Sequence, residues 1–580
     1  MIKKVLFPLL FLVLAYFVLS YESAKEIIAG ISIFLVGMFF MEDGFKLFSG
    51  GFLEKILEKF TNSMPKAILN GFLISSIVQS SSLTSVIIIS FLGASLIALE
   101  SAVYVLLGSS LGSSTTAWII ALFGLKIKIS HYAMPIIVFG IFFRFSKKER
   151  FKGLGHVLLG LGFIFLGISY MVNGFYELKD SVDLTLYSFD GFLGLFIFFI
   201  IGALMTFVVQ SSSASTAIVL VALASGQIFY LNAIAAIIGG KIGSTTTTVL
   251  GALNSNANGK RLAYAQFLLN LIATLFGLIL FYPIVNFIEI ISNYFEITSD
   301  AIKLSIFITI LNLSAVIIMI PFLKLIVKKI QKMFIPKVKS WSKLEFLDSS
   351  SLESSKSIVV GVKKENIILY ENFLKASKHL LQINDEDLYW YKNNNKSKSP
   401  QNHKIDKIYK DRLRVLHDEI LDFLSFANKG ISENDLKIID KQKIITKKIY
   451  SLLKNIRNIN KKIDESNFYR EAIKNEYIYL REILTICIKE IENIISNKTF
   501  DDLDKIFKIK TLQQKLNSLD SLTTQRVKKL IDEKKIDANV STKIIKDISF
   551  AILLSQELIK LTISLYVEDS ILIEEDEDEA

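Results

Sequence analysis

Long apolar runs fill the first part of the chain as far as Lys328, whereas the remainder alternates apolar and charged residues at helical spacing. A helix that spans a bilayer needs about 20 consecutive apolar residues. Apolar residues three or four positions apart, with charged residues between them, are typical of amphipathic helices. The pattern predicts an all-α protein with a membrane half at 27–335, a linker at 336–364 and a helical bundle at 365–567.

The apolar runs set the predicted membrane helices, and the amphipathic pattern sets the helices of the bundle. Membrane spans are predicted at Ile27–Phe48, Ala102–Leu125, Tyr132–Phe143, Leu154–Met171, a run ending at Leu253, Leu262–Phe287 and a run ending at Leu325. Bundle helices are predicted near Glu365–Leu388, Ile405–Asn428, Glu433–Asp464, Asn467–Ser496, Asp501–Lys534 and Val540–Tyr566.

The two ends of the chain have their own patterns. Residues 1–26 pair Lys3 and Lys4 with an apolar run, which is typical of a signal-anchor helix or a cleaved signal peptide. A retained helix is favoured, because no clear small-x-small cleavage site precedes the next span. The acidic tail, residues 568–580, is expected to be disordered.

Two polar motifs interrupt the apolar sequence, and each occurs twice. Gln79 to Ser82 reads QSSS and recurs at Gln210 to Ser213, while GSSLGSSTT from Gly108 to Thr116 recurs as GGKIGSTTT from Gly239 to Thr247. Both motifs are shifted by 131 residues, from 79 to 210 and from 108 to 239. Two motifs with one offset indicate that a whole unit was duplicated.

Polar side chains at membrane depth are costly unless they have partners, because lipid offers no hydrogen bonds. Small polar residues also serve helix packing, which is the plainer explanation for a single serine. Four serine-rich clusters at one repeat offset favour a binding site. The apolar arms that flank the first QSSS, within about 67–99, are each too short to span a bilayer, so a re-entrant hairpin is predicted, with its counterpart at 192–225.

Loop charges predict the orientation of the two units. The loop 144–152 is strongly basic and is therefore expected in the cytoplasm, whereas 173–190 is mainly acidic and is expected outside. Successive membrane spans cross in alternating directions. Counted from these two loops, repeat 1, about 27–145, and repeat 2, about 153–327, are inverted relative to each other. Inverted repeats with broken helices that meet near the midplane are a common plan of secondary transporters.

The polar set lacks carboxylates, which restricts the ligands that it suits. Hydroxyl and amide oxygens make a neutral, hard ligand set for Na⁺, while hydroxyl hydrogens, the glutamine amide and helix N-termini can donate to an oxyanion. Carboxylates would repel phosphate or sulfate. Their absence favours an anionic substrate.

Composition excludes several other classes. The chain has 580 residues, of which 51% are hydrophobic, and a net charge of +11, but its basic residues lie at membrane edges or alternate with acids, so no nucleic-acid partner is expected. The single cysteine, Cys487, excludes an internal disulfide. No enzyme is expected, because no histidine lies within a serine cluster where it could activate a serine nucleophile.

The doubled QSSS, each copy followed by a G-x-x-(I/L)-G-(S/T) motif, resembles the type II sodium-dependent phosphate cotransporters, in the bacterial form with a PhoU-like cytoplasmic domain. The segments 34–51, 153–171 and 259–277 are also similar to that family. The resemblance implies Na⁺ and phosphate binding at the hairpin turns by the QSSS residues, with further residues lining the facing half-helices. The turn residues are Gln79, Ser80, Ser81, Ser82, Gln210, Ser211, Ser212 and Ser213, and the half-helix residues are Ser113, Thr115, Thr116, Ser244, Thr246 and Thr247.

One departure from the family pattern concerns its usual asparagine in G-x-N-(I/L)-G-T. This chain has Ser110 there in the first copy and Lys241 in the second. A lysine at membrane depth is a functional-site candidate, although its long side chain can also reach an interface. As a candidate site residue, Lys241 either replaces a bound cation or pairs with the anion, which leaves open an oxyanion transporter that has lost Na⁺ coupling.

The resemblance further implies a multi-pass protein of the cytoplasmic membrane with its C-terminal domain in the cytoplasm. Phosphate, Na⁺ as the coupling ion and lipid are the expected partners; no cofactor is expected, and a homodimer and a cytoplasmic regulatory partner are left open. PhoU-like bundles bind metal at acidic helix motifs. Here Asp418, Glu419 and Asp422 form a weak candidate site, and a solvated helix face is favoured over it. A membrane-bound regulator that reports phosphate status is the alternative function.

Overall fold

The structure is a computed structural model of the whole chain, and its described part is helical throughout. It describes residues 20–49, 61, 63–124, 130–181, 191–253, 255–334, 343–383, 402–427, 431, 433–497 and 499–567. The predicted all-α class is confirmed for this part of the chain. Most of the predicted N-terminal helix, the whole acidic tail and the polar stretch 393–399 lie outside the described residues.

The chain divides into two compact units. The first comprises Met1–Lys337 with Phe346–Ile358 and Gly430–Ser432, and the second comprises Val338–Glu345, Val359–Lys429 and Glu433–Ala580. The segment 346–358 thus belongs with the membrane half, although it follows the last membrane helix in sequence.

The first unit contains the helices that carry both repeated motifs. In order they are α1 Glu22–Ser49, α2 Met64–Val78, α3 Ser81–Gly93, α4 Leu99–Gly112, α5 Ser114–Ile119, α6 Ser130–Arg144, α7 Glu149–Ser181, α8 Gly191–Val209, α9 Ser212–Ala224, α10 Tyr230–Leu253, α11 Ala257–Ile279, α12 Phe281–Tyr294 and α13 Asp300–Gln331. A π-helical turn, Ile120–Gly124, continues α5.

Eight helices in the described part of the chain are long and apolar enough to cross a membrane, seven of them in the first unit. The protein is therefore a polytopic membrane protein. The eighth, Ala538–Tyr566, meets the same criterion of length and composition in the second unit. Helices α2 and α3, with 15 and 13 residues, are shorter than a span, as predicted, whereas α8 has 19 residues and meets the criterion. The re-entrant course of the second hairpin stays a prediction.

Two predicted boundaries are wrong. Helix α7 continues past Met171 to Ser181, because Phe175 keeps the helical spacing of buried apolar residues and is 7% exposed. The span predicted at Leu262–Phe287 is two helices, which break at Leu280. Pro283 lies in the first turn of the second helix, where the missing N–H of proline costs no helical hydrogen bond.

Paired glycines let the first arm of each hairpin cross the helix that follows its second arm. A Cβ built on Gly108 of α4 would lie 1.8 Å from the carbonyl oxygen of Ile68 of α2. At the same repeat offset, a Cβ on Gly239 of α10 would lie 1.9 Å from the carbonyl oxygen of Phe199 of α8. Only glycine allows backbones to approach this closely, so the crossing in both copies depends on it.

The segment 346–358, termed the clasp here, packs against α3. Its 3₁₀ helix, Ser349–Glu353, is capped by Asp348, whose Oδ1 accepts from the N–H groups of Ser350 and Ser351. The other carboxylate oxygen of Asp348 accepts from the backbone N–H of Asn256. The side chains of Leu347 and Ser351 in the clasp are buried.

The described part of the second unit contains six helices, all longer than 20 residues. They are α14 Ser355–Leu380, whose first turn lies in the first unit, α15 Asn402–Phe426, α16 Glu433–Ser466, α17 Glu471–Ser496, α18 Asp502–Asp532 and α19 Ala538–Tyr566. Their buried faces include polar pairs: Tyr477 donates from its hydroxyl to Asp547, and Asn366 donates to Gln442. The predicted identity of this unit as a PhoU-like domain stays a prediction.

Candidate functional site

The two QSSS turns have the same local backbone. Gln79 ends α2 with φ of 56°, and Gln210 follows α8 with φ of 55°, so both glutamines adopt the left-handed conformation. A non-glycine residue with positive φ is uncommon and is frequent at functional sites. In each copy, the conformation ends one arm and turns the chain into the next.

A serine caps the second arm of each hairpin. Ser80 Oγ accepts from the Leu83 N–H at 3.2 Å, and Ser211 Oγ accepts from the Ala214 N–H, also at 3.2 Å. This is the usual N-cap interaction, and it fixes where the helix starts. Helices α3 and α9 therefore begin at equivalent positions, Ser81 and Ser212.

The two turns contact each other. Ser213, in the first turn of α9, donates from its Oγ to the backbone carbonyl oxygen of Gln79 at 3.3 Å. These residues are 134 positions apart in sequence. The contact brings the two copies of the QSSS motif to one place in the first unit.

A polar cavity lies where the turns meet. Most of its lining residues carry hydroxyl or amide groups, none is acidic, and the one charged lining residue is Lys241. The N-terminal residues of α3 and α9 face it, so the positive ends of two helix dipoles point at this space. The lining residues are Met38, Ser80, Ser81, Ser85, Ser109, Ser110, Ser113, Gln210, Ser211, Ser212, Ser213, Lys241, Ser244, Thr248, Gln266 and Asn270.

The two glutamines differ in what their side chains do. Gln79 donates from Nε2 to Thr115 Oγ1 at 3.0 Å and accepts at Oε1 from Thr116 Oγ1 at 2.9 Å, and it does not line the cavity. Gln210 lines the cavity, is exposed, and makes no side-chain hydrogen bond to a described residue. Gln79 thus holds its turn against α5, while the amide of Gln210 is available to a ligand.

The structure brings most of the predicted site residues together. Ten of them line the cavity: Ser80, Ser81, Ser110, Ser113, Gln210, Ser211, Ser212, Ser213, Lys241 and Ser244. Thr115 and Thr116 do not line the cavity but form hydrogen bonds with the side chain of Gln79. Thr246 does not line the cavity either. The side chains of Ser82 and Thr247 lie outside the described part of the structure. The binding roles of this set stay predictions.

Two amides at the cavity were missed by the sequence reasoning. Asn270 of α11 donates from Nδ2 to Ser244 Oγ at 3.1 Å, and Gln266 donates from Nε2 to Asn270 Oδ1 at 3.1 Å. Asn270 is 4% exposed. The signal for them was a pair of amides four residues apart on an apolar helix, which places both on one face.

A second missed pair supports α5. Asn312 of α13 donates from Nδ2 to Ser114 Oγ at 2.8 Å, and both side chains are buried. The carbonyl oxygen Oδ1 of Asn312 has no hydrogen-bond partner among the described residues. A single asparagine in the apolar run of α13 was its only signal in the sequence.

The weak metal candidate lies in the second unit, on α15. Asp418, Glu419 and Asp422 are all exposed, and Asp418 contacts His417 at 2.8 Å and Arg414 at 3.5 Å. In the described part of the chain, no group of three or more histidine, cysteine or acidic side chains is placed to hold a metal ion. Metal binding at these residues stays a prediction.

Comparison with known proteins adds one match. Residues 33–173 match the family model described as Na+/Pi-cotransporter. A search of curated proteins and a search of solved structures each gave no match. The matched segment runs from α1 to α7 and contains the first QSSS turn, which supports sodium-coupled phosphate transport as the general class of function. On this evidence, residues 33–173 of this chain are similar to the Na+/Pi-cotransporter family.

Proposed function

We propose that this protein is a secondary active transporter that moves inorganic phosphate across the cytoplasmic membrane together with Na⁺. Substrate and ion bind in the cavity where the two QSSS turns meet. The observation that carries the proposal is the hydrogen bond from Ser213 Oγ to the Gln79 carbonyl oxygen, because it joins the turn of the family-matched segment to the turn beyond it.

The cavity offers donors that suit an oxyanion. The helices α3 and α9 begin at its wall with Ser81 and Ser212, and helix N-termini bind anions through their free N–H groups and dipoles. The Gln210 amide and the Lys241 ammonium supply further donors. None of the described lining residues is acidic, so no carboxylate among them repels a phosphate.

The same cavity offers oxygen ligands for Na⁺. Ser110, Ser113 and the serines of the second turn carry hydroxyl oxygens, and backbone carbonyl groups at the turns add others. Sodium is a hard cation that prefers such oxygen donors. A cation and an anion bound side by side offset each other's charge, which lowers the cost of holding either away from water.

The proposed architecture is a pair of inverted repeats, about 27–145 and 153–327, with the second unit in the cytoplasm. The charges of the loops support it, since the basic residues Lys328, Lys329 and Lys332 lie at the end of α13, before the second unit.

The test is uptake of radiolabelled phosphate into proteoliposomes that contain the full chain, with and without an inward Na⁺ gradient. The expected result is gradient-driven uptake that a double variant, Gln79→Ala with Gln210→Ala, abolishes. Gln331→Ala is the matched control, because its side chain is exposed at the end of α13. Absence of phosphate uptake by the unmodified protein would overturn the proposal and favour the regulatory alternative.

A further inference from the structure

Lys241 lies on α10 between two cavities and lines both of them. Among the described residues that line the two cavities, it is the one that carries a charge. Its ammonium group forms no hydrogen bond or ion pair with a residue that the structure describes. The residue at the equivalent position of the first repeat is Ser110, so the positive charge belongs to one repeat alone.

The second cavity has fewer polar lining residues than the first, and more of its wall is apolar. Residues such as Met205, Val219 and Ile308 form its apolar wall. Two buried hydroxyl groups face it without a hydrogen-bond partner among the described residues: Thr206 Oγ1, in a residue 0% exposed, and Ser215 Oγ, in a residue 4% exposed.

Buried hydroxyl groups without partners are unusual, because each loses its hydrogen bonds to water and gains none in return. An ammonium group carries three N–H donors and no acceptor. The oxygens of Thr206 and Ser215 are acceptors that match it. The Lys241 ammonium and these two hydroxyl oxygens, which have no partners in the described part of the structure, are therefore complementary.

We propose that the Lys241 ammonium is a tethered cation with two positions: it turns to the unpaired Thr206 and Ser215 hydroxyls in the second cavity, its resting place, and it pairs with the oxyanion when one binds in the first. The inference rests on the proposed function and deepens it, since it assigns one positive charge of the transport site to the protein. Phosphate then binds with one fewer free cation than a site without the lysine would need.

The two cavities adjoin, which allows the side chain of Lys241 to reach both. Ser113, Ser212 and Ser213 line both cavities, as Lys241 does, so the two spaces adjoin at these serines. The flexible four-carbon stem of lysine lets its charge move between adjoining sites while the backbone of α10 stays in place. The Lys241 ammonium then serves as the counter-ion of the anion, and no separate cation has to bind for this purpose.

The experiment measures binding of radiolabelled phosphate to the purified full chain in Na⁺ and in choline, for the unmodified protein, Lys241→Gln and Lys241→Arg. Lys260→Gln is the matched control, because Lys260 lines neither cavity. The unmodified protein is expected to bind phosphate in choline. Lys241→Gln should weaken that binding about tenfold or more and recover affinity in Na⁺, whereas Lys241→Arg, which keeps the charge, should retain it.

The outcomes separate the inference from the proposed function. Equal phosphate affinity of Lys241→Gln and the unmodified protein in choline would overturn the tethered cation and leave phosphate transport standing. No phosphate binding by the unmodified protein in either salt would overturn both. The ratio of Na⁺ to phosphate taken up by proteoliposomes is a second readout, and it should rise by one ion in Lys241→Gln.

A second variant tests the resting place. Thr206→Val with Ser215→Ala removes both hydroxyl groups and keeps the ammonium. Without its acceptors in the second cavity, the ammonium is more available to the anion, so phosphate should bind more tightly in choline. Unchanged or weaker binding in this variant would overturn the assignment of the second cavity to Lys241.

Discussion

The backbone N–H of Asn256 donates a hydrogen bond of 2.8 Å to Oδ2 of Asp348. Asn256 also caps α11, where its Oδ1 accepts from the N–H groups of Asn258 and Gly259. Asn258 in turn donates from Nδ2 to the carbonyl oxygen of Leu92, near the end of α3. The clasp, the start of α11 and the end of α3 thus form one connected junction, and α3 has its other end at the proposed substrate cavity.

Asp348→Ala is expected to loosen this junction. The change removes the N-cap of the 3₁₀ helix and leaves the Asn256 N–H without its acceptor, which should cost about 1–3 kcal/mol of stability. Hydrogen exchange of the purified full chain should show faster exchange at the C-terminal half of α3. Ser349→Ala is the control, since Ser349 is exposed. Equal exchange in both variants would show that the clasp does not hold α3.

Replacing Gln79 and replacing Gln210 are expected to have different effects. Gln79→Ala breaks the contacts with Thr115 and Thr116 and should lower the melting temperature, because buried groups lose their partners. Gln210→Ala should leave the melting temperature unchanged and raise the KM for phosphate, because its amide faces the cavity and bonds no described residue. Thermal unfolding and proteoliposome uptake measure the two effects. The same phenotype in both variants would contradict the division of roles.

Gly108→Ala and Gly239→Ala are each expected to prevent correct folding. The new methyl group would lie within 2 Å of a backbone carbonyl oxygen, so two helices would have to separate. Gly277→Ala is the matched control, because its nearest neighbours are the side-chain ends of Leu311 and Ile238, which can move. The yield of monodisperse protein after size-exclusion chromatography tests this. A normal yield of Gly108→Ala would contradict the close crossing of α2 and α4.

Cys487 is expected to resist thiol reagents in the folded protein. It is fully buried in the second unit, its Sγ donates to the carbonyl oxygen of Ser555, and burial raises its thiol pKa to about 12. The reactive thiolate is therefore scarce at neutral pH. Maleimide labelling should be slow in the native protein and rapid after denaturation. Rapid native labelling would show that α17 opens readily.

The repeated motifs allowed much of the site to be predicted, since the offset of 131 residues paired Gln79 with Gln210 and Ser110 with Lys241 before any contact was known. The sequence could not show that the members of a pair differ in their contacts. The same residue type in the same backbone conformation is bound to threonines in one copy and faces the cavity in the other. Tertiary neighbours decide that difference, and periodicity carries no information about them.

The hydrophobic pattern of the sequence was enough to predict the all-α class and the approximate positions of most helices. Helical spacing located most elements, but the break at Leu280 depended on one proline in an otherwise apolar run. The sequence placed neither Asn270 at the cavity nor Asn312 beside α5, because amides in apolar helices are equally compatible with helix packing. Their partners, Ser244 and Ser114, lie on other helices.

The single lysine between the cavities has an electrical consequence. The Lys241 ammonium belongs to the protein and is not transported as cargo. It nevertheless moves within the membrane field whenever α10 changes position. Each elementary charge carried through the full membrane potential is worth about 2.3 kcal/mol per 100 mV. In the proposed transport cycle, membrane voltage therefore acts on this charge in the phosphate-free step, where no bound anion offsets it.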